Sequence, residues 1–122
     1  KVGGDIMPGK IKAKYGEINI SDDVLASLAG LATMECYGIV GMASKSAKDG
    51  FVELLKRENL SKGVKVSSEG EEIIIDLYVI VEFGTKISAV ADNIISKVKY
   101  SLENLTGLTV RKVNINVQGV RV

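Results

Sequence analysis

From Ile73 to Phe83 every second position is apolar: Ile73, Ile75, Leu77, Val79, Val81 and Phe83. That two-residue period predicts a strand with one buried face. After Gly84 and Thr85, residues Ile87, Val90, Ala91, Ile94, Ile95, Val98, Leu102 and Leu105 recur at helical spacing. The stripe they form predicts a long helix laid over that strand. At roughly 1.5 to 3 kcal/mol for each large aliphatic side chain fully buried, strand and stripe together supply most of the hydrophobic driving force of a small domain.

The same period runs through the flanks. Glu17 to Ile20 alternates polar and apolar and predicts a short strand. Ser21 then stands where a helix N-cap belongs, with Asp22 and Asp23 in the first turn complementing the helix dipole. Val24, Leu25, Leu28, Leu31, Ala32 and Cys36 give this helix a buried face. Ala26, Ala29 and Gly30 keep it narrow enough for close packing, and Gly38 predicts its stop near Tyr37. The segment from Gly38 to Ser46 reads as a loop, and a shorter helix is expected from Asp49 or Gly50 to Glu58 on Phe51, Leu54 and Leu55. Val64 and Val66 open a strand that turns at Glu69, Gly70 and Glu71 into the long strand, a hairpin. Thr106 and Gly107 close the second helix. The last strand starts on Leu108 and Val110 and switches parity to Val113, Ile115 and Val117, so a bulge is expected at Arg111 and Lys112.

Strand, helix, short helix, strand, strand, helix, strand is the order of an α+β fold. The expected architecture is a two-layer sandwich, with two main helices on one face of a mostly antiparallel sheet. The other face would carry Ile74, Tyr78, Ile80, Asn114, Asn116 and Gln118, a mixture of apolar and amide groups suited to solvent or to a partner. One domain is expected over residues 15–122. Residues 1–14, with Gly3, Gly4, Pro8 and Gly9 and no periodicity, read as a flexible lead. The first six, ahead of Met7, read as a remnant of expression.

Composition narrows the chemistry. The 122 residues are 46% hydrophobic and 25% charged, with 16 Lys plus Arg against 15 Asp plus Glu, so no strong overall field draws nucleic acid or anionic lipid. The longest apolar stretch is broken by Asp76 and Glu82, which argues against a membrane-spanning helix. A single cysteine, Cys36, precludes an internal disulfide and fits a reducing compartment, hence the cytoplasm. With no histidine, Ser-His and Cys-His catalysis and the commonest metal ligand drop out. Cys36 lies on the apolar side of its helix, as a small buried hydrophobe does. The acidic turn Glu69, Gly70, Glu71, Glu72 lacks the alternating oxygen ligands of a calcium loop. We assign no catalytic, metal-binding or cofactor-binding residue, and no cofactor.

Gly38-Ile39-Val40-Gly41 places a G-x-x-G between two expected helices, the layout of a KH RNA-binding module. KH loops carry polar or basic residues between the glycines, whereas Ile39 and Val40 are suited to burial. Lys45, Lys48, Lys56, Arg57, Lys62 and Lys65 are interleaved with Asp49, Glu53 and Glu58. RNA binding is the weaker alternative.

Gly16-Glu17-Ile18-Asn19-Ile20-Ser21-Asp22-Asp23-Val24 and Glu35-Cys36-Tyr37-Gly38-Ile39-Val40-Gly41-Met42 resemble the alkaline shock protein family of Gram-positive bacteria. So do Val81-Glu82-Phe83-Gly84, Leu105-Thr106-Gly107-Leu108-Thr109-Val110 and Val113-Asn114-Ile115-Asn116-Val117-Gln118-Gly119-Val120. The likeness runs from about Tyr15 to Val122. It implies a small cytoplasmic protein linked to the cell-envelope stress response, without enzymatic activity. In some members such a protein is held at the membrane by a separate anchored partner. The expected role is a protein-protein interaction or self-assembly module whose partner is itself, as a homo-oligomer, or another protein. Its candidate surface combines Tyr78, Ile80, Asn114, Asn116 and Gln118 with Ile39, Val40 and Met42.

Overall fold

The computed structural model describes residues 10–13, 15–45 and 54–122. Its elements are β1 (Lys10–Ala13), β2 (Gly16–Asn19), α1 (Asp22–Met34), β3 (Ile39–Met42), a 3-10 segment (Arg57–Gly63), β4 (Val64–Glu69), β5 (Glu72–Glu82), α2 (Ile87–Thr106) and β6 (Val110–Arg121). The fold is the α+β sandwich that the apolar periods predict.

β5 is the organising strand. Along Ile73–Glu82 one of its edges pairs with β6 in parallel. A strand has two edges, so β4, antiparallel to 72–77, and β3, antiparallel to 79–81, share the other end to end. Among the described residues, four strand pairings form and only β5 with β6 is parallel. A parallel neighbour requires a crossover connection, and α2 provides it. The parity switch in the last strand is a bulge at Arg111, since Ile73 pairs with Val110 and Ile74 with Lys112. A second irregularity skips Gln118 between Val117 and Gly119.

Both helices pack on the same face of this sheet. Leu25, Ala29 and Ala32 of α1 and Val90, Ile94, Val98 and Leu102 of α2 form one cluster with Ile73, Ile75, Leu77, Val79 and Val81. Ser21 caps α1 as expected, its Oγ accepting the Val24 N–H at 3.2 Å. Gly30 lets α1 approach the 3-10 segment closely: a Cβ there would stand 3.1 Å from the Leu60 Cβ.

The fold departs from several expectations. Lys10–Ala13 is not part of a lead but a strand paired with β2, and Ile11 packs against the core. Residues 1–9 and 14 lie outside the described residues. α1 stops at Met34, three residues before Tyr37. Gly38 instead takes φ 87° in the turn into β3. What reads as a loop from Gly38 includes a strand, because Ile39 and Gly41 pair with Val81 and Ile80. Positions 49–53 of the expected short helix fall outside the described residues. Leu54 forms a bridge with Ala43, and the 3-10 segment begins only at Arg57. Phe83 is 68% exposed because β5 ends at Glu82, and Val24, Ile87 and Leu105 are exposed too. At 20 residues, about 30 Å, α2 is longer than the core it covers, which leaves its end positions in solvent.

Candidate interaction surface

The face of the sheet turned away from α1 and α2 is built by residues that pair across strands. On β5 it carries Ile74, Asp76, Tyr78 and Ile80; on β6 their neighbours are Lys112, Asn114, Asn116 and Gly119; on β4, Lys65 and Ser67 flank Asp76 and Ile74. Asn114 donates its amide to Asp76 Oδ1 at 2.8 Å, and Asn116 donates to the Leu77 carbonyl at 3.2 Å. These bonds hold both amides against β5, so the half-buried rings and chains of Tyr78 and Ile74 sit in a fixed polar frame.

Tyr78, Asn114, Asn116 and the exposed Gln118 are brought together on this face, Gln118 as the bulged residue near its far end. Ile80 is not available there, because it is 0% exposed. Its cross-strand partner Gly41 explains part of the cover: a Cβ on Gly41 would lie 2.4 Å from Leu54 Cδ2, so Leu54 crosses the face at that point. The Gly38 to Met42 stretch contributes little either. Met42 is 0% exposed and belongs to the core beside its partner Val79, Ile39 packs on the same core, and Val40 is a half-buried bulge residue. A KH-type G-x-x-G must be an open loop, whereas here Gly38 is a turn residue and Ile39 and Gly41 are paired with β5.

Sequence periodicity gave no sign of three further features. Arg111, the bulged residue of β6, pairs with Glu69 at 2.6 Å and Glu72 at 3.0 Å, tying the hairpin tip to β6. The Glu103 carboxylate accepts the Val110 N–H at 2.9 Å, while Lys99 donates to the Val110 carbonyl at 3.0 Å. The Val110 N–H bond first, then the hydrogen bond that Lys99 donates to Glu103 Oε2 at 3.0 Å and the charge of that ammonium, hold the Glu103 carboxyl below the usual glutamate range against a smaller opposing effect of burial. Tyr37, 77% exposed, and Phe83 lie at one corner, where Glu82 N–H meets the Gly38 carbonyl and Phe83 N–H meets that of Arg121. An aromatic that ends an alternating run, as Phe83 does, is the only sequence signal for that corner.

Cys36 is 7% exposed, and its thiol lies 3.6 Å from the Ala32 carbonyl. Burial pushes it up from the ordinary thiol value; Lys97 opposes this shift and Glu35 adds to it. Lys97 and Glu35 form an ion pair at 3.0 Å. A thiol so placed stays protonated at neutral pH and is a poor nucleophile. Among the described residues no helix is long and apolar enough to cross a membrane.

The sequence profile of the Asp23 family, a name unrelated to residue Asp23 of this chain and one described by a cell envelope-related function, matches residues 10–122. The chain is 57% identical over 114 residues to the uncharacterized protein YloU of Bacillus subtilis (strain 168), covering 93% of this chain and 95% of the relative. It is 48% identical to the uncharacterized protein Spy1614 of Streptococcus pyogenes, covering 95% and 97%. A more distant relative, 24% identical over 87% of this chain and 59% of its own length, is the stress response regulator gls24 homolog of Streptococcus pyogenes. No solved structure matches the chain. The family supports a role tied to stress on the cell envelope, and the extent of the match, from Lys10 to Val122, is decisive: this chain belongs to the Asp23 family.

Proposed function

We propose that the chain is a non-enzymatic, cytoplasmic module of the envelope stress response that assembles with itself or docks another protein through the outer face of its sheet. The observation that carries the reading is one-sided packing. Every helical residue of the core lies against one face, whereas the other presents Ile74 and Tyr78 within a frame of Asn114, Asn116 and Asp76. A half-apolar, amide-rimmed strip resembles the centre and rim of a protein interface more than a reaction centre. The buried, protonated Cys36 also supports a role other than nucleophilic catalysis. Any route to the membrane is then indirect, through an anchored partner.

Ile74→Lys with Tyr78→Lys places two charges on that strip at positions that are only half-buried, so the folded state should survive them, as a cooperative thermal melt would check. Sedimentation of the unaltered chain should show a concentration-dependent oligomer or a complex with a co-purifying protein, and the double variant should show neither. If the two chains sediment alike and retain the same companions, the outer face is not the interface.

A further inference from the structure

β6 is 12 residues long and, among the described residues, has a strand neighbour on one edge only. Its other edge therefore presents alternate backbone N–H and C=O groups that no described strand meets. Side chains do not fill the gap. Among the described residues, Val110 alone in β6 has its backbone met by side chains, those of Glu103 and Lys99, and it stands at the very start of the strand. Asn114 and Asn116 turn their amides inward to β5. Between the bulge at Arg111 and the skip at Gln118, residues 112–117 form a regular ladder of ordinary strand length.

The two sides of this edge differ in chemistry. On the helix side, Ile115 and Ile95 are only partly buried against the core and Val117 is 36% exposed, so the core layer is unfinished where β6 ends it. On the outer side, Lys112 and Arg121 stand near the two ends of the strand, and no carboxylate occurs within β6. Among the described residues neither cation belongs to an ion pair, whereas Arg111 is already taken by Glu69 and Glu72.

We infer that the free edge of β6 receives an extended segment of a partner protein, apolar on the side facing Ile115 and Val117 and acidic on the side facing Lys112 and Arg121. Backbone pairing supplies the attachment, and the alternating side chains supply the selection. A second copy of the chain fits poorly. An antiparallel copy centred on Asn116 sets Arg111 opposite Arg121, and the adjacent register sets Lys112 opposite Arg121, both like-charge pairs. An acidic strand turns the same positions into attractions. The inference deepens the interaction-module reading but stands on other residues, so the two fail separately.

The test is selection of a displayed library of random peptides, each 12 residues long to match β6, against the whole chain. Expected winners alternate apolar and acidic residues, and when bound they slow hydrogen exchange at amides in 112–117. Lys112→Glu with Arg121→Glu, both at exposed positions, should weaken the best peptide about tenfold, the scale of two reversed cross-strand charge pairs. A backbone N-methylated form of that peptide, unable to pair, should not bind. Winners that are basic or that repeat at helical spacing overturn the inference. So does protection away from β6, equal binding of the N-methylated form, a library with no winners, or β6 amides already slowed by self-pairing in the chain alone. The Ile74→Lys, Tyr78→Lys variant losing assembly while still binding the peptide would show the two surfaces to be independent.

Discussion

The Glu103 carboxylate holds the Val110 N–H at 2.9 Å, joining the last turns of α2 to the first residue of β6 across a left-handed Gly107. Lys99 completes the clamp on the carbonyl side. The junction matters because it sets where β6 begins and so its register against β5. Glu103→Ala is expected to cost about 1 kcal/mol, a charge-assisted bond discounted for partial exposure. The carboxyl is held low in the folded chain, so its contribution is fully present above the unfolded value, about pH 4.3, and is lost as pH falls through the lower folded value. Glu103→Gln should therefore lower the melting temperature at pH 7 and converge on the unaltered chain in acid. Equal melting temperatures at pH 7 would remove the clamp from the account.

Gly38 is constrained twice. Its φ of 87° is unfavourable for any residue with a side chain, and a Cβ there would come within 2.6 Å of Val90 Cγ2, on a stiff β-branched residue of α2. Gly38→Ala should destabilise by about 2 to 4 kcal/mol, combining left-handed strain with overpacking. Urea denaturation measures it, and a loss below about 0.5 kcal/mol, the range of ordinary surface changes, would contradict both constraints.

Where one face of an element is buried and the other wet, the pattern of residues is readable: β5, α2, the cap at Ser21 and the bulge at Arg111 all follow from it. β3 escapes because Ile39 to Met42 is short and contains a glycine and a bulge, so no alternation survives to be counted. β1 escapes because it and its partner are four-residue strands, too short for an alternation to be counted, although Ile11 reaches the core. The candidate surface was half legible. Tyr78, Asn114 and Asn116 fall on the outer face by parity, but parity is silent on what crosses that face. The burial of Ile80 depends on Leu54 lying over Gly41, a contact between segments far apart in sequence.

Cys36 provides a reading of α1 packing. Its thiol is buried and kept protonated by that burial, so a disulfide reagent at neutral pH should react slowly with the native chain and quickly once denaturant opens α1 from α2. Lys97→Ala removes the nearby charge that lowers the thiol value and should slow native labelling further. Rapid labelling without denaturant would mean that the α1–α2 contact opens readily.

Arg111 tests how much a bulge depends on its ion pairs. Its guanidinium meets Glu69 and Glu72, yet all three side chains are substantially exposed, and exposed pairs contribute at most about 1 kcal/mol. The parity switch itself is enforced by Val110 and Val113, both buried in the core on either side of the extra residue. Arg111→Ala should accordingly lower stability by less than about 1 kcal/mol and leave the β6 register unchanged, as read from amide chemical shifts. A shift of register would make the ion pairs the cause of the bulge.

Ile74 and Ile80 have the same side chain on the same strand face and differ only in cover. Ile80 is fully buried beside Gly41 and Leu54, while Ile74 is half-buried next to Ser67 and Lys112. Truncation at a closed site loses transfer energy and leaves a cavity, so Ile80→Ala should cost about 2 to 5 kcal/mol. At a site open to water little cavity remains, and Ile74→Ala should cost about 1 kcal/mol or less in the isolated chain. Assembly should show the opposite order, because only Ile74 is available to a partner: Ile74→Ala should weaken self-association or docking more than a stability-matched core change such as Ile94→Val. If Ile74→Ala proved as costly to folding as Ile80→Ala, the outer face would be covered along its whole length, and the surface assigned to partners would already be occupied by the chain's own residues.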